Sequence, residues 1–596
     1  MSDVHTLSRP EEVIVKHLDL DVTVDFESQQ ISGRTTLEIE NLKSVSELYL
    51  DTDQLTIESI TLGDKKASTA FRLTEPVPYL GRALIIQIQP DTKLVHVHYR
   101  TSPNASALQW LTPSQTAGGQ HPFLFTQSQA ILARTWIPCQ DTPAVRFTYR
   151  ARIRVPDSLI AVMSAESLGK TDDNTFEFRM TQPIPSYLLA LAVGDIAFRE
   201  ISGRSGIYAE PSVVDKAAWE FAETEKMIAA AEKLYGPYRW GRYDLIVLPP
   251  SFPFGGMENP RLTFATPTVL AGDRSMVSLV AHELAHSWSG NLVTNATWDD
   301  FWLNEGFTVY FENRIMEELY GKEYDDMLAV LAFGDLEKEI QDLGSESPDT
   351  HLKLNLKSRN PDDAVTNIAY DKGYYLLRTI EEAVGRSKWD AFLRRYFEKF
   401  AFHSVTTEDF LAYLRDHLLS GNPDVEDRLK IKQWMYGPGI PDNVVKVYSN
   451  RFKQVDEQYK RWVSGTAAGK LETKHWSTHE WVRFIRNMPQ KPTPGQMEEL
   501  DTTFQFSSSG NSEILFEWLM RAIASEYEEA YDSLEKFLVG MGRRKFVRPL
   551  FLELAKTESG MELARRIYTK ARPGYHPVTV ATVDDILKKS STDEHR

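Results

Sequence analysis

The sequence predicts a multidomain α+β fold with a β-rich N-terminal domain, a mixed central domain and an all-α C-terminal domain built as a helical stack. The chain has 596 residues, more than one hydrophobic core usually supports. Apolar and polar residues alternate in the first third, whereas helical spacing dominates after about residue 440. We therefore expect domains at residues 1–196, 197–440 and 441–596.

The first third has the alternation typical of strands with one buried face. The clearest strand has an apolar residue at every second position: Leu18, Leu20, Val22, Val24 and Phe26. Similar segments, with turn residues between them, occur at residues 36–40, 84–88 and 95–99. The apolar run at residues 187–194 predicts a buried strand that closes this domain.

The central third mixes helical and strand patterns. Residues 216–235 have helical spacing, and residues 245–248 form a short apolar strand that ends at two prolines. More helical patterns continue to about residue 435. The Gly- and Pro-rich segment 436–441 is the best candidate for a linker to the next domain.

The final part of the chain is predicted to be helical throughout. Residues 514–520 and 563–568 combine apolar and charged residues at helical spacing. Several such segments follow one another, which favours a stack of antiparallel helices. No fixed-period repeat is visible, so a regular solenoid is not predicted.

Composition and charge narrow the class of protein. Hydrophobic residues make up 42% and charged residues 25% of the chain, as in ordinary globular proteins. The formal net charge of −17 disfavours nucleic-acid binding and is compatible with cationic substrates. No apolar run reaches the length of about 18 residues that a membrane span needs, and the N-terminus does not resemble a signal peptide.

The chain has a single cysteine, Cys139, so it cannot form an intramolecular disulfide. This usage is consistent with a reducing compartment. We therefore expect a cytoplasmic protein that binds neither nucleic acid nor a membrane. Nothing in the sequence indicates an obligate protein partner.

A histidine pair in the central domain predicts a metal centre. His282 and His286 enclose Glu283 in the pattern H-E-x-x-H. Residues four apart lie on one face of a helix, so both imidazoles can reach one ion about 2.0–2.1 Å away. A catalytic zinc takes three protein ligands and leaves its fourth position to water. Glu305, eighteen intervening residues after His286, is the expected third ligand of one Zn²⁺ per chain.

The same segment supplies a candidate general base. Glu283 can face the open side of the metal without binding it and accept a proton from water. A surface helix that carries two histidines would give the same pattern, but the apolar lead-in at residues 276–281 predicts a buried helix. Buried histidines beside a buried glutamate need partners or a metal. Glu312, seven residues after Glu305, either orients a ligating imidazole or is an ordinary surface carboxylate.

Longer motifs surround these residues. They are P-P-S-F-P-F-G-G-M-E-N-P at 249–260, S-W-S-G-N-L-V-T-N at 287–295 and W-D-D-F-W-L-N-E-G at 298–306. Others are F-T-Q-S-Q-A at 125–130, P-C-Q-D-T-P at 138–143 and G-R-R-K-F-V-R-P-L-F at 542–551. Together they resemble the M1 family of zinc aminopeptidases, in its leukotriene A4 hydrolase/aminopeptidase B branch. The resemblance spans most of the chain and implies a thermolysin-like catalytic domain between the β-rich and helical domains.

The resemblance implies an enzyme that removes N-terminal residues from short peptides with a free amino end. Tyr370 matches the family's catalytic tyrosine, whose hydroxyl donates to the oxyanion. Glu258 matches the glutamate that captures the free α-ammonium group, and Gln129 a glutamine that also contacts the amine. The remaining residues of the glycine-rich motif, where the backbone approaches the substrate, are Gly255, Gly256 and Met257.

Further matches concern the rest of the substrate. Arg543 and Lys545 match basic residues that hold the substrate carboxylate, although an ordinary basic surface patch would look the same. Asp362 matches an aspartate of the side-chain pocket and could attract a basic first residue or cap a loop. Phe254 and Val365 replace two tyrosines of the leukotriene enzyme. These two departures weaken an alternative, bifunctional enzyme that also opens lipid epoxides.

A second alternative is a non-catalytic scaffold that binds peptides without cleaving them. The presence of the predicted base, ligands and catalytic tyrosine disfavours this alternative.

Overall fold

The computed structural model describes residues 3–419 and 423–592. The first part of the chain consists of strands joined by turns and short 3₁₀ segments. The strands are β1 Val13–Asp25, β2 Gln30–Asn41, β3 Glu47–Thr52, β4 Thr56–Leu62, β5 Ala67–Ser68, β6 Phe71–Leu73, β7 Arg82–Gln87, β8 Leu94–Arg100, β9 Leu108–Leu111, β10 Phe123–Thr126, β11 Phe147–Arg154, β12 Ile160–Met163, β13 Glu166–Lys170, β14 Thr175–Ile184 and β15 Leu191–Gly194.

These strands form one large sheet and two smaller ones. The large sheet has the order β13-β14-β11-β1-β2-β8-β4-β5, and the smaller ones are β12-β15-β10-β9 and β3-β7-β6. Strand β1 lies at the centre of the large sheet, antiparallel to β2 and parallel to β11. Its apolar residues are buried at alternate positions, with a register shift after Val15. The period-two pattern of the sequence therefore sets which face of this sheet packs on the core.

Residues 187–194 are not the single strand that their apolar run predicts. Ser186–Leu188 forms a 3₁₀ turn, and the strand β15 begins only at Leu191. Pro185 precedes the turn and accepts a backbone hydrogen bond from Leu188. The hydroxyl of Ser186 donates to the buried carboxylate of Asp141, at 2.7 Å. An apolar run shows that a segment is buried and does not distinguish a strand from a buried turn.

The central part of the chain combines helices with short strands. The strands are β16 Ala197–Ser202, β17 Ser205–Ala209, β18 Tyr243–Val247, β19 Gly256–Met257, β20 Leu262–Ala265, β21 Val293–Asn295 and β22 His403–Val405. The helices are α1 Val214–Glu220, α2 Thr224–Tyr235, α3 Ser278–Ala285, α4 Trp302–Tyr320, α5 Lys322–Leu343, α6 Gly373–Val384, α7 Arg386–Lys399, α8 Thr407–His417, α9 Pro423–Leu429 and α10 Ile431–Tyr436. Five of the strands form a sheet in the order β16-β17-β18-β20-β19. Its edge strand β19 carries the glycine-rich motif and lies beside α3.

The last part is a stack of helices. They are α11 Asn450–Val463, α12 Thr478–Asn487, α13 Pro494–Phe504, α14 Ser512–Ala524, α15 Tyr531–Gly540, α16 Arg544–Leu554, α17 Glu558–Ala571 and α18 Pro577–Thr592. Their buried faces form a separate core, which also includes Met327 of α5. By contrast, buried apolar residues from Val13 to Met435 form one continuous cluster. The boundaries at residues 196 and 440 stay predictions.

In the part of the chain that the structure describes, no helix is long and apolar enough to cross a membrane. The cytoplasmic location stays a prediction.

Candidate active site

Two helices bring the predicted metal ligands together. Helix α3 is buried along most of its length and carries His282, and His286 follows directly at its C-terminal cap. The two imidazole rings lie 4.9 Å apart. Helix α4 packs against α3 and carries Glu305 in its first turn. The apolar residues before His282 therefore place both histidines on a buried face opposite Glu305.

The geometry of these three residues fits a bound cation. Nε2 of His282 lies 3.4 Å and Nε2 of His286 lies 3.5 Å from Oε2 of Glu305. That oxygen is buried and has no hydrogen-bond partner. A buried, unpartnered carboxylate oxygen facing two imidazole nitrogens is costly without a cation. Two imidazoles and one carboxylate are a donor set that zinc accepts.

A second group of possible ligands overlaps the first. Atoms of Glu258, Glu283 and His286 also lie within 4.8 Å of one another. We favour the set containing Glu305, because the oxygen without a partner belongs to Glu305, whereas Glu258 accepts a hydrogen bond from Asn304 at 3.3 Å. The overlap places Glu283 and Glu258 close to His286 and therefore next to the favoured ligand set.

Hydrogen bonds at the other ring nitrogens orient both imidazoles. Nδ1 of His282 lies 3.0 Å from the carboxylate of Glu312. Nδ1 of His286 lies 2.9 Å from the carbonyl oxygen of Ser289 and 2.9 Å from Oδ1 of Asn304. A proton held at Nδ1 leaves Nε2 unprotonated and directed at the metal position.

Tyr370 reaches the site from an irregular turn. It lies in a π-helical segment, Ile368–Lys372, just before α6. Gly373, the first residue of α6, touches Gly306 of α4: a Cβ atom on Gly306 would lie 2.7 Å from the Cα atom of Gly373. This backbone contact brings the Tyr370 turn beside Glu305. The Tyr370 ring stacks on His282 with centroids 6.1 Å apart.

Lys372 fixes the position of the same turn through hydrogen bonds to two other segments of the chain. Its ammonium group donates to the carbonyl oxygens of Thr350 and Gly437, at 2.7 and 3.0 Å. Burial lowers the pKa of Lys372 to about 7. The Tyr370 segment is therefore anchored by backbone packing on α4 and by a buried lysine.

The glycine-rich motif forms one wall of a cavity of about 300 Å³. Gly256 faces the predicted base so closely that a Cβ atom there would lie 2.1 Å from Oε1 of Glu283. Glu258 is 3% exposed and lines the cavity, as does Gln129. The side-chain nitrogen of Gln129 is buried without a hydrogen-bond partner. Met257 points away, and its sulfur accepts a hydrogen bond from Gln127 at 3.4 Å.

Residues of the C-terminal helical region line the far end of the cavity. Backbone groups of Gly542 and Arg544 donate to the carbonyl oxygens of Pro250 and Pro253, at 2.9 and 2.8 Å. These bonds dock the start of α16 on the segment that leads into the glycine-rich motif. As a result Arg543 lies against Gly255, on which a Cβ atom would lie 2.7 Å from the guanidinium.

Arg543 shares this wall with Lys545 and Glu513. Arg543 donates to the hydroxyl of Thr268 at 3.0 Å, and the Lys545 ammonium group contacts Glu513 at 2.7 Å. All three charged side chains line the same cavity as the metal ligands.

Asp362 lines another part of the cavity, together with Phe254 and Val365. It lies in a 3₁₀ turn that begins after Asn360, whose side chain accepts from the Asp362 amide at 3.1 Å. Burial raises the pKa of the Asp362 carboxyl, and the nearby Arg544 opposes that rise. The cavity lining therefore combines the carboxyl of Asp362 with the apolar side chains of Phe254 and Val365.

Burial controls the ionisation of the central residues. It raises the pKa of Glu258 and of Glu283, and neighbouring carboxylates add to both shifts. Burial, followed by the charges of Glu305 and Glu258, raises the pKa of Tyr370 well above its usual value. Tyr370 is therefore a neutral O–H donor at physiological pH. Crowded carboxylates of this kind are stabilised by a dication.

Three further residues of the site were not predicted from the sequence. Asn304 bridges His286 and Glu258, and its position directly before Glu305 was a signal that could have been used. Glu513 and Thr268 hold the two basic residues of the far wall. No motif surrounds either of them, and only the tertiary structure brings them to the cavity.

Comparison with known proteins places the whole chain in one family. Residues 15–188 match the peptidase M1 N-terminal domain, residues 219–435 the peptidase family M1 domain and residues 476–587 the leukotriene A4 hydrolase C-terminal domain. The chain is 39% identical to leukotriene A-4 hydrolase of Xenopus laevis, over 99% of this chain and all of that protein. It is 37% identical to aminopeptidase B of Mus musculus, over 96% of this chain and 94% of that protein.

The fold is similar to that of a solved relative. The structure of yeast leukotriene A4 hydrolase in complex with bestatin superimposes with a TM-score of 0.91, at 34% identity, and covers 99% of this chain and 97% of that one. This similarity confirms the predicted fold class of a β-rich, a thermolysin-like and an α-helical domain.

Fold and site together define a zinc-dependent metallopeptidase, a hydrolase. The chain belongs to peptidase family M1, whose characteristic cofactor is zinc, and it is an aminopeptidase/leukotriene A4 hydrolase-like enzyme. The predicted family, enzyme class and cofactor are thereby confirmed.

Proposed function

We propose that this protein is an aminopeptidase that removes N-terminal residues from short peptides. One observation carries the proposal: Glu258, Glu283 and the donor atoms of the metal triad meet around His286 in a single cavity. Glu258 is a second carboxylate beside the general base Glu283. Such a second anion distinguishes an enzyme that captures a free amino end from one that cleaves internal bonds.

His282, His286 and Glu305 are the residues that would hold the metal. When bound, zinc lowers the pKa of water and polarises a carbonyl group. Glu312 and Asn304 fix the ring orientation of the two histidines. Their hydrogen bonds keep the donor nitrogens in place without occupying them.

Glu283 is proposed as the general base. It is buried, close to the metal triad, and pressed against Gly256, so its carboxylate has little freedom to move. It takes a proton from the attacking water and passes it to the leaving amine. The neutral hydroxyl of Tyr370 donates a hydrogen bond to the oxyanion that forms on the substrate carbonyl.

Glu258 gives the site its preference for a free amino end. A buried carboxylate pairs with the α-ammonium group and thereby places the first peptide bond beside Glu283. The side-chain oxygen of Gln129, a residue that lines the cavity, is proposed to accept a further hydrogen bond from the α-ammonium group. Asp362, with Phe254 and Val365, faces the side chain of the first residue.

Arg543 and Lys545 are proposed to bind the free carboxylate at the other end of the peptide. A guanidinium group can bind a carboxylate through two parallel hydrogen bonds. Because Arg543 lies against Gly255 of the glycine-rich motif, the space between the Glu258 and Arg543 ends is short. This spacing favours di-, tri- and tetrapeptides.

Lipid epoxide hydrolysis is a second candidate activity. The identity with the Xenopus leukotriene A-4 hydrolase favours it, and the apolar residues Phe254 and Val365 leave an apolar section in the cavity. The two tyrosines of the leukotriene enzyme are absent at these positions, which weakens the case. A panel of aminoacyl chromogenic amides and a lipid epoxide, each assayed with and without a chelator, separates the two activities.

Removal of the metal is expected to abolish peptide cleavage. The protein as isolated should contain one zinc per chain, because the favoured donor set provides three ligands. Metal analysis and the hydrolysis of a leucyl chromogenic amide, before and after chelation and zinc repletion, test this. Two tightly bound ions, or activity that survives complete removal of zinc, would contradict the proposal.

Substitution of Arg543 by alanine is expected to impair free tripeptides far more than their C-terminal amides. Loss of a charge-assisted contact should lower kcat/KM for the tripeptide by about 1.5–3 kcal/mol, roughly 10- to 150-fold. The measurement is kcat/KM for one tripeptide and its amide in both proteins. An equal loss for acid and amide would assign Arg543 a structural role only.

A further inference from the structure

Arg543 and Lys545 form the wall of the cavity that we propose to bind the substrate carboxylate. This wall already contains a carboxylate of the protein itself, that of Glu513. Both oxygens of Glu513 accept hydrogen bonds from the Lys545 ammonium group, at 2.7 and 2.8 Å. Glu513 also lies 3.7 Å from Nη1 of Arg543. It is only 7% exposed and lines the same cavity as Glu283 and the metal ligands. An incoming substrate carboxylate therefore meets two cations that already share a counter-ion.

Lys545 and Arg543 are the main counter-charges of Glu513, and Arg486 contributes less. Arg486 approaches it but is paired with Asp335 at 2.9 Å and with Glu517 at 2.7 Å. His479 is buried, and burial lowers its pKa to about 4, so it is neutral at physiological pH. Two cationic side chains and one anionic side chain therefore leave the wall with one net positive charge.

We infer that Glu513 is a specificity-determining residue that competes with the peptide's free carboxylate for Lys545 and Arg543, and so sets how strongly that carboxylate is bound. The inference rests on the proposed function of this wall. With Glu513 present, the wall matches a single negative charge. Arg543 is additionally fixed by Thr268, whereas Lys545 is about half exposed and can move towards a ligand.

If Glu513 competes with the substrate carboxylate, the preference for a free carboxylate should follow the net charge of this wall. A purely structural role of Glu513 would not produce that dependence. The measured quantity is the ratio of kcat/KM for a free tripeptide to kcat/KM for its C-terminal amide. Glu513→Gln should raise this ratio by roughly tenfold, because one opposing charge is removed beside the carboxylate. Lys545→Met should lower it, because Glu513 then neutralises Arg543. The double variant Glu513→Gln/Lys545→Met should return it close to the wild-type value.

Glu517→Gln is a matched control one helical turn away. Glu517 is equally buried on α14 and pairs with Arg486, but it is not among the residues that line the catalytic cavity. Its substitution should leave the acid-to-amide ratio unchanged. Inhibition by the dipeptide product gives a second readout, and its inhibition constant should fall in Glu513→Gln only.

The inference is overturned if Glu513→Gln leaves the ratio unchanged or lowers it, or if the double variant does not recover from the loss seen in Lys545→Met. Should Glu513→Gln alone fail to fold, the comparison of Lys545→Met with the double variant still decides. Failure of the proposed function looks different: no zinc-dependent hydrolysis of an aminoacyl chromogenic amide would then be seen even in the unsubstituted protein.

Discussion

Replacing Glu283 by glutamine is expected to remove turnover while zinc stays bound. Glutamine has the same shape and fits the contact with Gly256, but it cannot accept the proton of the attacking water. General-base catalysis contributes roughly 10²–10⁴-fold to the rate, so kcat should fall by at least that order. The measurement combines metal analysis with initial rates on an aminoacyl chromogenic amide at saturating zinc.

Glu312→Gln provides the contrast for this experiment. Glu312 contacts the Nδ1 side of His282 at 3.0 Å, so its loss should weaken zinc binding by about 10- to 100-fold. Added zinc should then restore much of the activity of Glu312→Gln and none of the activity of Glu283→Gln. Near-normal kcat in zinc-loaded Glu283→Gln would show that another group is the base.

The parts of the site that are local in sequence could be predicted from it. The H-E-x-x-H spacing and the apolar residues before it are enough to place His282 and His286 on one buried helix face. The alternation of residues in β1 likewise specifies one buried face of the large sheet. Both are consequences of helix and strand periodicity, which short-range sequence patterns express directly.

Contacts between distant segments could not be predicted in the same way. Tyr370 reaches the site because Gly306 and Gly373 allow two backbones to touch, and its π-helical turn has no sequence period. The position of Tyr370 was suggested only by the family resemblance. Glu513 lies more than 200 residues from the metal ligands, so its contact with Lys545 exists only after the helical region docks on the segment around Pro250 and Pro253.

The contrast has a physical origin. Helix and strand patterns reflect which side of a local element faces water. The apolar positions of such a pattern are nearly all buried, so the pattern can be recognised in the sequence. By comparison, a buried ion pair such as Glu513–Lys545 depends on the docking of whole domains and leaves no periodic trace. Functional residues of this kind therefore require the tertiary structure.

Substitution of Glu258 by alanine should have the second-largest effect on catalysis. The carboxylate is buried and its hydrogen bond from Asn304 is long, at 3.3 Å, so it is available to a cation in the cavity. Loss of a buried charge pair with the substrate ammonium group should lower kcat/KM by roughly 2–5 kcal/mol, about 30- to 5,000-fold. Zinc content should not change, because Glu305 completes the favoured ligand set.

The substrate itself supplies the control for this variant. In the unsubstituted protein, N-acetylation of a peptide should nearly abolish cleavage, because Glu258 would be left buried and unpaired. In Glu258→Ala that penalty should largely disappear, since the partner of the ammonium group is already gone. The experiment therefore compares free and N-acetylated forms of one peptide in both proteins. If acetylation reduced kcat/KM equally in the two proteins, or if blocked peptides were cut rapidly at internal bonds, Glu258 would not be the residue that recognises the free amino end.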